Sequence, residues 1–256
     1  MGDVLLVTGG ARGIGRAVVE LAAARGFDVA VGYRQDRDAA DAALAAVQSA
    51  GGRAIAVQAD VADEADVVRM FEETEAGLGP VNAVVNSAGI SVRVRADEIG
   101  ADQLRRLMSV NVVGLMLCCR EAARRMSTAR GGGGGTIVNV GSMAAAYGGR
   151  PGASHYAGSK GAVDSFTKGF AREVAEEGIR ANVVRPGVTL TDMVEAVRDD
   201  PDKRRAISAT IPMGRPAEAA EIAEPILWLL SDAASFVTGC VVDASGGGFV
   251  IGAGTG

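Results

Sequence analysis

Tyr156 and Lys160 stand four residues apart, and Ser142 lies upstream of them across a loop rich in Gly and Pro. On a helix, positions i and i+4 share one face, so this pair can bring a phenol and an ammonium together. An ordinary tyrosine titrates at ~10, too high for acid–base work at neutral pH. A cation ~4 Å away at an effective dielectric of ~20 contributes roughly 4 kcal/mol, or about three pKa units. The spacing therefore predicts a phenol that Lys160 draws down into the useful range. The chain holds three tyrosines and three lysines. A pair at this spacing is uncommon by chance, but so short a motif needs its structural context.

The context is a regular alternation of apolar runs and amphipathic segments. Val4 to Val7 is β-branched-rich and ends in Thr8-Gly9-Gly10-Ala11-Arg12-Gly13-Ile14-Gly15; a helix is predicted through about Arg25, stopped by Gly26. Further strands are predicted at Val29 to Gly32, Ala54 to Ala59, Val81 to Val85, Thr136 to Val140, Arg180 to Val184 and Gly239 to Asp243. Helices are predicted at Ala39 to Ala50, Glu64 to Ala76, Asp102 to Met126, Tyr156 to Glu177 and Glu218 to Leu230. Seven strands alternating with helices over residues 1–256 predict one α/β domain, a doubly wound (Rossmann) seven-stranded parallel sheet. The five glycines Gly131 to Gly135 read as a flexible surface loop. The charged stretch 189–216 interrupts the alternation and reads as a substrate loop or lid.

Ligands in such sheets bind past the carboxyl ends of the strands. Arg12, Arg34, Asp60, Asn86, Ser142 and Gly187 all follow strand ends and should share one rim. The glycine turn after the first strand suits a diphosphate held by backbone amides at a helix N-terminus. The second strand ends in Gly32-Tyr33-Arg34, with no acid to hold a ribose 2′-hydroxyl. Arg34, with Arg12 approaching from the glycine turn, suits a phosphate instead. NADP is accordingly expected over NAD. Asn111 is a polar residue on the apolar face of its helix, which leaves it either a core-bonded amide or a site residue.

Composition excludes several other classes. Hydrophobic residues make up 48% and charged residues 22%, an ordinary globular balance. A net charge of −5 and 4% aromatics give no pull toward nucleic acid or an anionic membrane. One histidine, His155, and three cysteines make neither a metal site nor a disulfide framework, so a cytoplasmic home is expected. The first residues enter a strand with no signal segment expected, Leu6 breaks a myristoylation motif, and no apolar run reaches membrane-spanning length.

Taken in order, Thr8-Gly-x-x-x-Gly-Ile-Gly15, Asp60-Val61, Asn86-x-Ala88-Gly89, Asn111, Ser142, Tyr156-x-x-x-Lys160 and Pro186-Gly187 resemble the motifs of the classical short-chain dehydrogenase/reductase family over essentially the whole chain. The nearest likeness is to its glucose 1-dehydrogenase-like and 3-oxoacyl-carrier-protein-reductase-like branch, which shares Val237-Thr238-Gly239. The resemblance implies Tyr156 as proton donor or acceptor and Ser142 as the group that polarises the substrate oxygen. Lys160 would lower the tyrosine and hold the nicotinamide ribose, and Asn111 would support a proton relay. It implies a dinucleotide held by Gly9, Gly13, Ile14 and Gly15 at the diphosphate and by Arg12, Tyr33 and Arg34 at the ribose phosphate. Asp60 and Val61 would flank the adenine, and Asn86, Ala88 and Gly89 would pass under the ribose. Pro186 and Gly187 would border the cofactor, Val188 would meet the carboxamide, and Thr191 the diphosphate. A homotetramer is implied as well.

Two positions depart from the pattern. Ser87 replaces a second Asn, and Gly141 replaces a Ser before Ser142, which is expected to loosen that loop. His155, the neighbour of Tyr156, reads as a cap or substrate-loop residue and not a base. The expected reaction is hydride transfer between a nicotinamide and a carbonyl or secondary alcohol, on a sugar or small ketone. Met143, Tyr147, Arg150 and the segment after Thr191 would shape the pocket. The alternatives are a 3-oxoacyl-carrier-protein reductase, with Lys203-Arg204-Arg205 as a basic patch for an acidic carrier, and a catalytically idle dinucleotide-binding regulator.

Overall fold

The computed structural model describes residues 3–192 and 199–248. Seven parallel strands form one sheet: β1 (Val4–Thr8), β2 (Asp28–Tyr33), β3 (Ala54–Gln58), β4 (Ala83–Asn86), β5 (Gly135–Val140), β6 (Ile179–Pro186) and β9 (Val241–Ala244). Their order is β3-β2-β1-β4-β5-β6-β9, so the winding reverses between β1 and β4. In sheets of this kind that reversal opens the crevice in which ligands bind.

The pleat of β1 decides which residues face which layer. Leu5 and Val7 pack with Val18, Val19, Val47, Ile226 and Leu229 on one face, under α1 (Gly13–Ala24), α2 (Arg37–Ser49) and α9 (Ala219–Leu230). Val4 and Leu6 pack with Met70, Phe71, Cys118, Ile137 and Phe170 on the other, under α3 (Glu64–Leu78), α5 (Leu115–Met126) and α7 (Ser154–Val174). Each large apolar side chain fully buried this way contributes about 1.5–3 kcal/mol. Strands buried on both faces carry continuous apolar runs instead of alternation, which is why Val4–Val7 and Val29–Val31 are legible as strands.

The long helix expected from Asp102 to Met126 is continuous but not uniform. α4 (Ala101–Met108) passes through a π-helical turn, Ser109–Gly114, into α5. Gly114 permits it, since a Cβ there would come within 2.5 Å of the Val61 carbonyl oxygen. The short α6 (Ala144–Tyr147) precedes α7, and α8 (Pro201–Ser208) follows residue 200. The stretch 189–216 is bracketed by a two-stranded parallel sheet of β7 (Thr189–Leu190) and β8 (Ala217–Glu218), which the sequence did not suggest. Residues 193–198 of the expected lid lie outside the described residues.

The glycine run is not the loose surface loop expected. Gly132 N donates to Ser127 O at 2.8 Å and Gly134 N to Met126 O at 2.7 Å. A Cβ on Gly132 would overlap the Arg125 and Met126 carbonyls, and one on Gly135 would meet Met126 Sδ at 2.7 Å. These glycines let the chain close tightly over the end of α5 before entering β5.

Candidate active site

The phosphate-sized turn after β1 is built by glycines that nothing larger could replace. Gly9 and Gly13 have φ of 65° and 56°, left-handed values that favour glycine. A Cβ on Gly15 would overlap the Gly9 carbonyl, and one on Gly9 would lie 3.0 Å from Ala88 Cα. The turn is thereby pressed against the end of β4, where Ala88 N donates to Thr8 Oγ1 at 3.2 Å. Asp36, Asp63 and Asp200 cap the N-termini of α2, α3 and α8 with their carboxylates. The N-terminus of α1, with Ile14 in its first turn, has no side-chain cap and no acid there. Thr191 sits opposite, its Cγ2 3.3 Å from the position a Gly13 Cβ would take. A ring of backbone amides with no acid nearby is what a diphosphate needs.

At the end of β2, Tyr33 is buried and its hydroxyl accepts from Arg37 Nη1 at 3.4 Å. Arg34 Nη2 donates to the neighbouring Gln35 Oε1 at 2.8 Å. Arg12 reaches the same corner through Asp36, with 3.7 Å between Nη1 and Oδ2. Asp36 is an acid that the reading of Gly32-Tyr33-Arg34 passed over, but it is committed to Arg12 and to capping Ala39 N. Asp60 accepts from Arg106 Nη2 at 2.7 Å and from Ala62 N at 3.0 Å. Burial alone would raise its pKa; Arg106, the Ala62 amide and the charge of Arg34 outweigh that and hold it below the usual carboxylate range. Its side chain is thus a structural brace, and Val61 beside it is buried under Gly114.

Asn86 turns its side chain into the core. Its Nδ2 donates to Asn139 Oδ1 at 2.8 Å, and Asn139 Nδ2 donates to Thr167 Oγ1 at 2.9 Å. That polar ladder ties β4, β5 and α7 together, and nothing in the sequence marks Asn139 or Thr167 as part of it. Ser87, Ala88 and Gly89, which follow Asn86, are half-buried. On the far side of the sheet, Pro186 O accepts from Met143 N at 3.0 Å, and Gly187 N donates to Ala244 O at 2.9 Å. Val188 O accepts from Ala217 N at 2.9 Å.

The four groups expected to do chemistry converge. Ser142 Oγ accepts from Ala144 N at 3.1 Å, and its hydroxyl is hydrogen-bonded to the Tyr156 phenol. Lys160 is buried, and its Nζ donates to Val140 O at 2.7 Å. Asn111, in the π turn, accepts from Ile90 N and donates to Ile90 O, both at 2.9 Å, and donates to Ser159 Oγ at 3.1 Å. Ser159 in turn donates to Tyr156 O at 2.7 Å. Gly89 marks the meeting point: a Cβ there would be 3.5 Å from Asn111 Oδ1 and 3.7 Å from Lys160 Nζ. π turns are enriched at functional sites, and this one places the Asn111 amide where a plain helix would not.

The electrostatics correct one expectation. Burial pushes the Tyr156 pKa up, and the Ser142 hydrogen bond only partly opposes it. Lys160 does not draw the phenol down, because its ammonium is turned to Val140 O and lies 5.9 Å from the centre of the phenol ring. Burial lowers Lys160 itself to about 8, against the opposing charge of Asp164. His155 Nε2 bonds Val92 O at 2.7 Å, so it holds the loop after β4 and does not face the phenol. Tyr147 is pushed up to about 12 by burial, and Arg150, lowered by burial, donates to Thr210 Oγ1 at 3.4 Å. A groove lined by Thr136, Arg180 and Phe236 lies at the amino ends of β5 and β6, the rim away from all of this.

A profile described as enoyl-(acyl carrier protein) reductase matches residues 9–248. An uncharacterized oxidoreductase, YgfF, of Escherichia coli strain K12 is 45% identical over 95% of this chain and 99% of its own length. The 3-oxoacyl-[acyl-carrier-protein] reductase of Bos taurus is 38% identical over 96% and 98%. Among solved structures, a short-chain dehydrogenase/reductase from Serratia marcescens superposes with a TM-score of 0.90 at 34% identity, covering 96% of this chain and 98% of that one. The chain belongs to the short-chain dehydrogenase/reductase family. A blue fluorescent protein from a metagenomic library, solved in complex with NADPH, has a TM-score of 0.88 at 37% identity, covering 96% of this chain and 97% of its own. As a short-chain dehydrogenase/reductase, the protein is an oxidoreductase acting on hydroxyl or keto groups with a nicotinamide cofactor. Among the described residues of this short-chain dehydrogenase/reductase, no helix is long and apolar enough to cross a membrane, and no group of His, Cys, Asp or Glu could hold a metal ion.

Proposed function

We propose that the protein interconverts a small carbonyl compound and its secondary alcohol with NADP as cofactor, using Tyr156 as the proton-handling group. The observation that carries this reading is the Ser142–Tyr156 hydroxyl pair, with Lys160 and Asn111 converging beside Gly89. The glycine turn fits a dinucleotide: a side chain at Gly9 would press on Ala88 and one at Gly15 on the Gly9 carbonyl, so the tight turn that bares its amides needs glycine. Gly9, Gly13, Ile14, Gly15 and Thr191 would hold the diphosphate, with Arg12, Tyr33 and Arg34 at the ribose phosphate. Asp60 and Val61 would border the adenine, and the backbone of Asn86, Ala88 and Gly89 the ribose. Tyr156 and Lys160 would meet the nicotinamide ribose, with Pro186, Gly187 and Val188 at the carboxamide. Bound there, the cofactor supplies or accepts the hydride.

The chain's own residues do the rest. Ser142, already anchored by the Ala144 amide, presents its hydroxyl to the substrate oxygen, and Tyr156 gives or takes the proton at that oxygen. The raised pKa keeps the phenol protonated at neutral pH, which suits the reducing direction. Asn111 fixes the π turn against Ile90 and Ser159 and so sets where the catalytic helix begins. Residues 189–216 are read as the substrate loop, its described end latched by Arg150 on Thr210.

The preference for NADP rests on Arg34 and Arg12 at the β2 corner. Arg34→Ala is expected to weaken NADPH binding by about 10-fold or more, the worth of a charge-assisted hydrogen bond, with NADH binding little changed. Equal losses for both cofactors, measured by fluorescence titration, would refute the phosphate role. The reaction class is tested by following NADPH consumption against sugars, small ketones and 3-oxoacyl thioesters. Turnover of any carbonyl is the expected result; tight NADPH binding with none turned over favours an idle regulator.

A carrier-protein reductase remains the second reading because a reductase of that name is 38% identical over nearly the whole chain. Its proposed basic patch is weakened by its own helix: Lys203 pairs with Asp200 at 3.2 Å and Arg205 with Asp202 at 3.3 Å. A cytoplasmic homotetramer completes the proposal. Its support is the family resemblance and the buried, free Cys118 and Cys119, the latter thiol raised by burial to about 12 and so unreactive. Neither nucleic acid nor a membrane is a proposed partner.

A further inference from the structure

We propose that Asp164 is a positioning residue for the site, a buried counter-charge to Lys160 that also braces the Val140–Ser142 backbone from beneath. The proposal rests on the reading of Lys160 as part of the reacting centre, and goes beyond it.

Lys160 is buried, and its bond to Val140 O satisfies a donor without neutralising a charge. A buried ammonium left uncompensated is costly. One turn along α7, on the same face, stands Asp164, itself only 5% exposed. Its Oδ2 accepts from Arg185 Nε at 3.0 Å and lies 2.8 Å from Arg185 Nη2. Its other oxygen, Oδ1, is buried with no hydrogen-bond partner. A carboxylate that served only to hold Arg185 would not need a bare oxygen in the interior, and such orphans call for an explanation.

Gly141 locates that oxygen. A Cβ at Gly141 would lie 3.2 Å from Asp164 Oδ1, 3.2 Å from Arg185 Cγ and 2.8 Å from Val183 Cγ1. Gly141 separates Val140, whose carbonyl holds Lys160, from Ser142, whose hydroxyl holds Tyr156. The ion pair therefore fills the space directly under the residues that set both groups. It also overturns the expectation that Gly141 loosens this loop: Gly141 N donates to Val184 O at 2.8 Å, and glycine is there to admit Asp164 and Arg185.

Arg185 continues to Asp243 on β9 at 3.5 Å, so charges alternate in sign from Lys160 through Asp164 and Arg185 to the surface. Lys160 faces the Tyr156 ring and Asp164 on its own helix, and Arg185 of β6 and Asp243 of β9 stand behind Asp164. β5 and the π turn offer only the neutral Val140 carbonyl, Ser142 and Asn111. Asp164 acts against the burial that lowers Lys160 to about 8. Removing the carboxylate takes away the one close opposite charge and leaves Arg185 held only by the more distant Asp243, which favours a neutral Lys160.

The chain has only three lysines, Lys160, Lys168 and Lys203, so the titration can be read by NMR of lysine-labelled protein without substrate. The Lys160 signal is identified by its loss in Lys160→Met. In Asp164→Asn the midpoint is expected to fall by about one pH unit or more, the usual effect of losing one close opposite charge. Asp164→Glu should restore it, and the alkaline limb of kcat should move with it. Should Asp164→Asn fail to fold, Asp164→Asn/Arg185→Gln removes both charges of that ion pair together and is expected to show a midpoint below wild type. An unchanged Lys160 midpoint in either folded variant overturns the proposal. Because the midpoint is read without turnover, that failure is distinct from a failure of the proposed reaction.

Discussion

Tyr156→Phe is expected to lower kcat by about 10²–10⁴-fold, the range that a positioned acid or base contributes. The substitution removes one oxygen and leaves the ring, whose centre lies 5.9 Å from the Lys160 ammonium. The hydrogen bond lost is the one to the Ser142 hydroxyl, so stability should change by no more than about 1 kcal/mol. Cofactor affinity should survive, since the cradle around Gly9 and Gly15 is built from other elements. The pH dependence has a definite sign. Burial raises the phenol, so in the reducing direction the wild-type rate should be flat through neutral pH and fall only in alkali. In the oxidising direction, where the base form is needed, the rate should climb as pH rises. Steady-state kinetics in both directions, with thermal melts and cofactor titrations on the same samples, check all three expectations.

Lys160→Met should abolish most activity and make the cofactor-free protein more stable. Lowering a lysine from 10.5 to about 8 corresponds to roughly 3 kcal/mol of penalty on its charged form. Below about pH 8 the side chain is protonated in both the folded and unfolded chain, so the folded protein carries that penalty in full. Between about pH 8 and 10.5 the unfolded chain binds more protons, so wild-type stability from this group rises with pH. Methionine fills similar volume without a charge, as when buried ions are replaced by apolar groups. Allowing for the Val140 carbonyl left without its donor, a gain of about 1–3 kcal/mol at pH 7 is expected. The advantage over wild type should shrink toward pH 10.5. Denaturant unfolding at pH 7 and pH 9.5 measures both; a destabilised Lys160→Met would show that the ammonium is a net support of the fold.

The layered sheet was legible in the sequence because its causes are local. Strands buried on both faces must be runs such as Val4-Leu5-Leu6-Val7, and helices end at Gly26, Gly79 and Gly178, all at positive φ. Ser142, Tyr156 and Lys160 were legible for the same reason, since a strand end and one helical turn fix their relation. What escaped depends on groups far apart in the chain. Asn86 could not be seen bonding Asn139, 53 residues on, and the Asp164–Arg185 pair spans 21. The π turn at Asn111 has no residue signature; its permissive glycine matters only because Val61 passes close by. The direction of the Tyr156 shift was misread because one helical turn brings Lys160 near the ring without aiming its ammonium at the phenol oxygen.

The central claim is that hydride transfer to a carbonyl carbon occurs here with Tyr156 supplying the proton. It is tested most directly by incubating the protein with NADPH deuterated at nicotinamide C4 and a carbonyl substrate found by the panel, and analysing the alcohol by mass spectrometry. The account predicts one deuterium on the carbinol carbon with wild type, and almost no labelled alcohol with Tyr156→Phe at undiminished NADPH affinity. Alcohol formed without deuterium, or labelled as fast by Tyr156→Phe as by wild type, would contradict it.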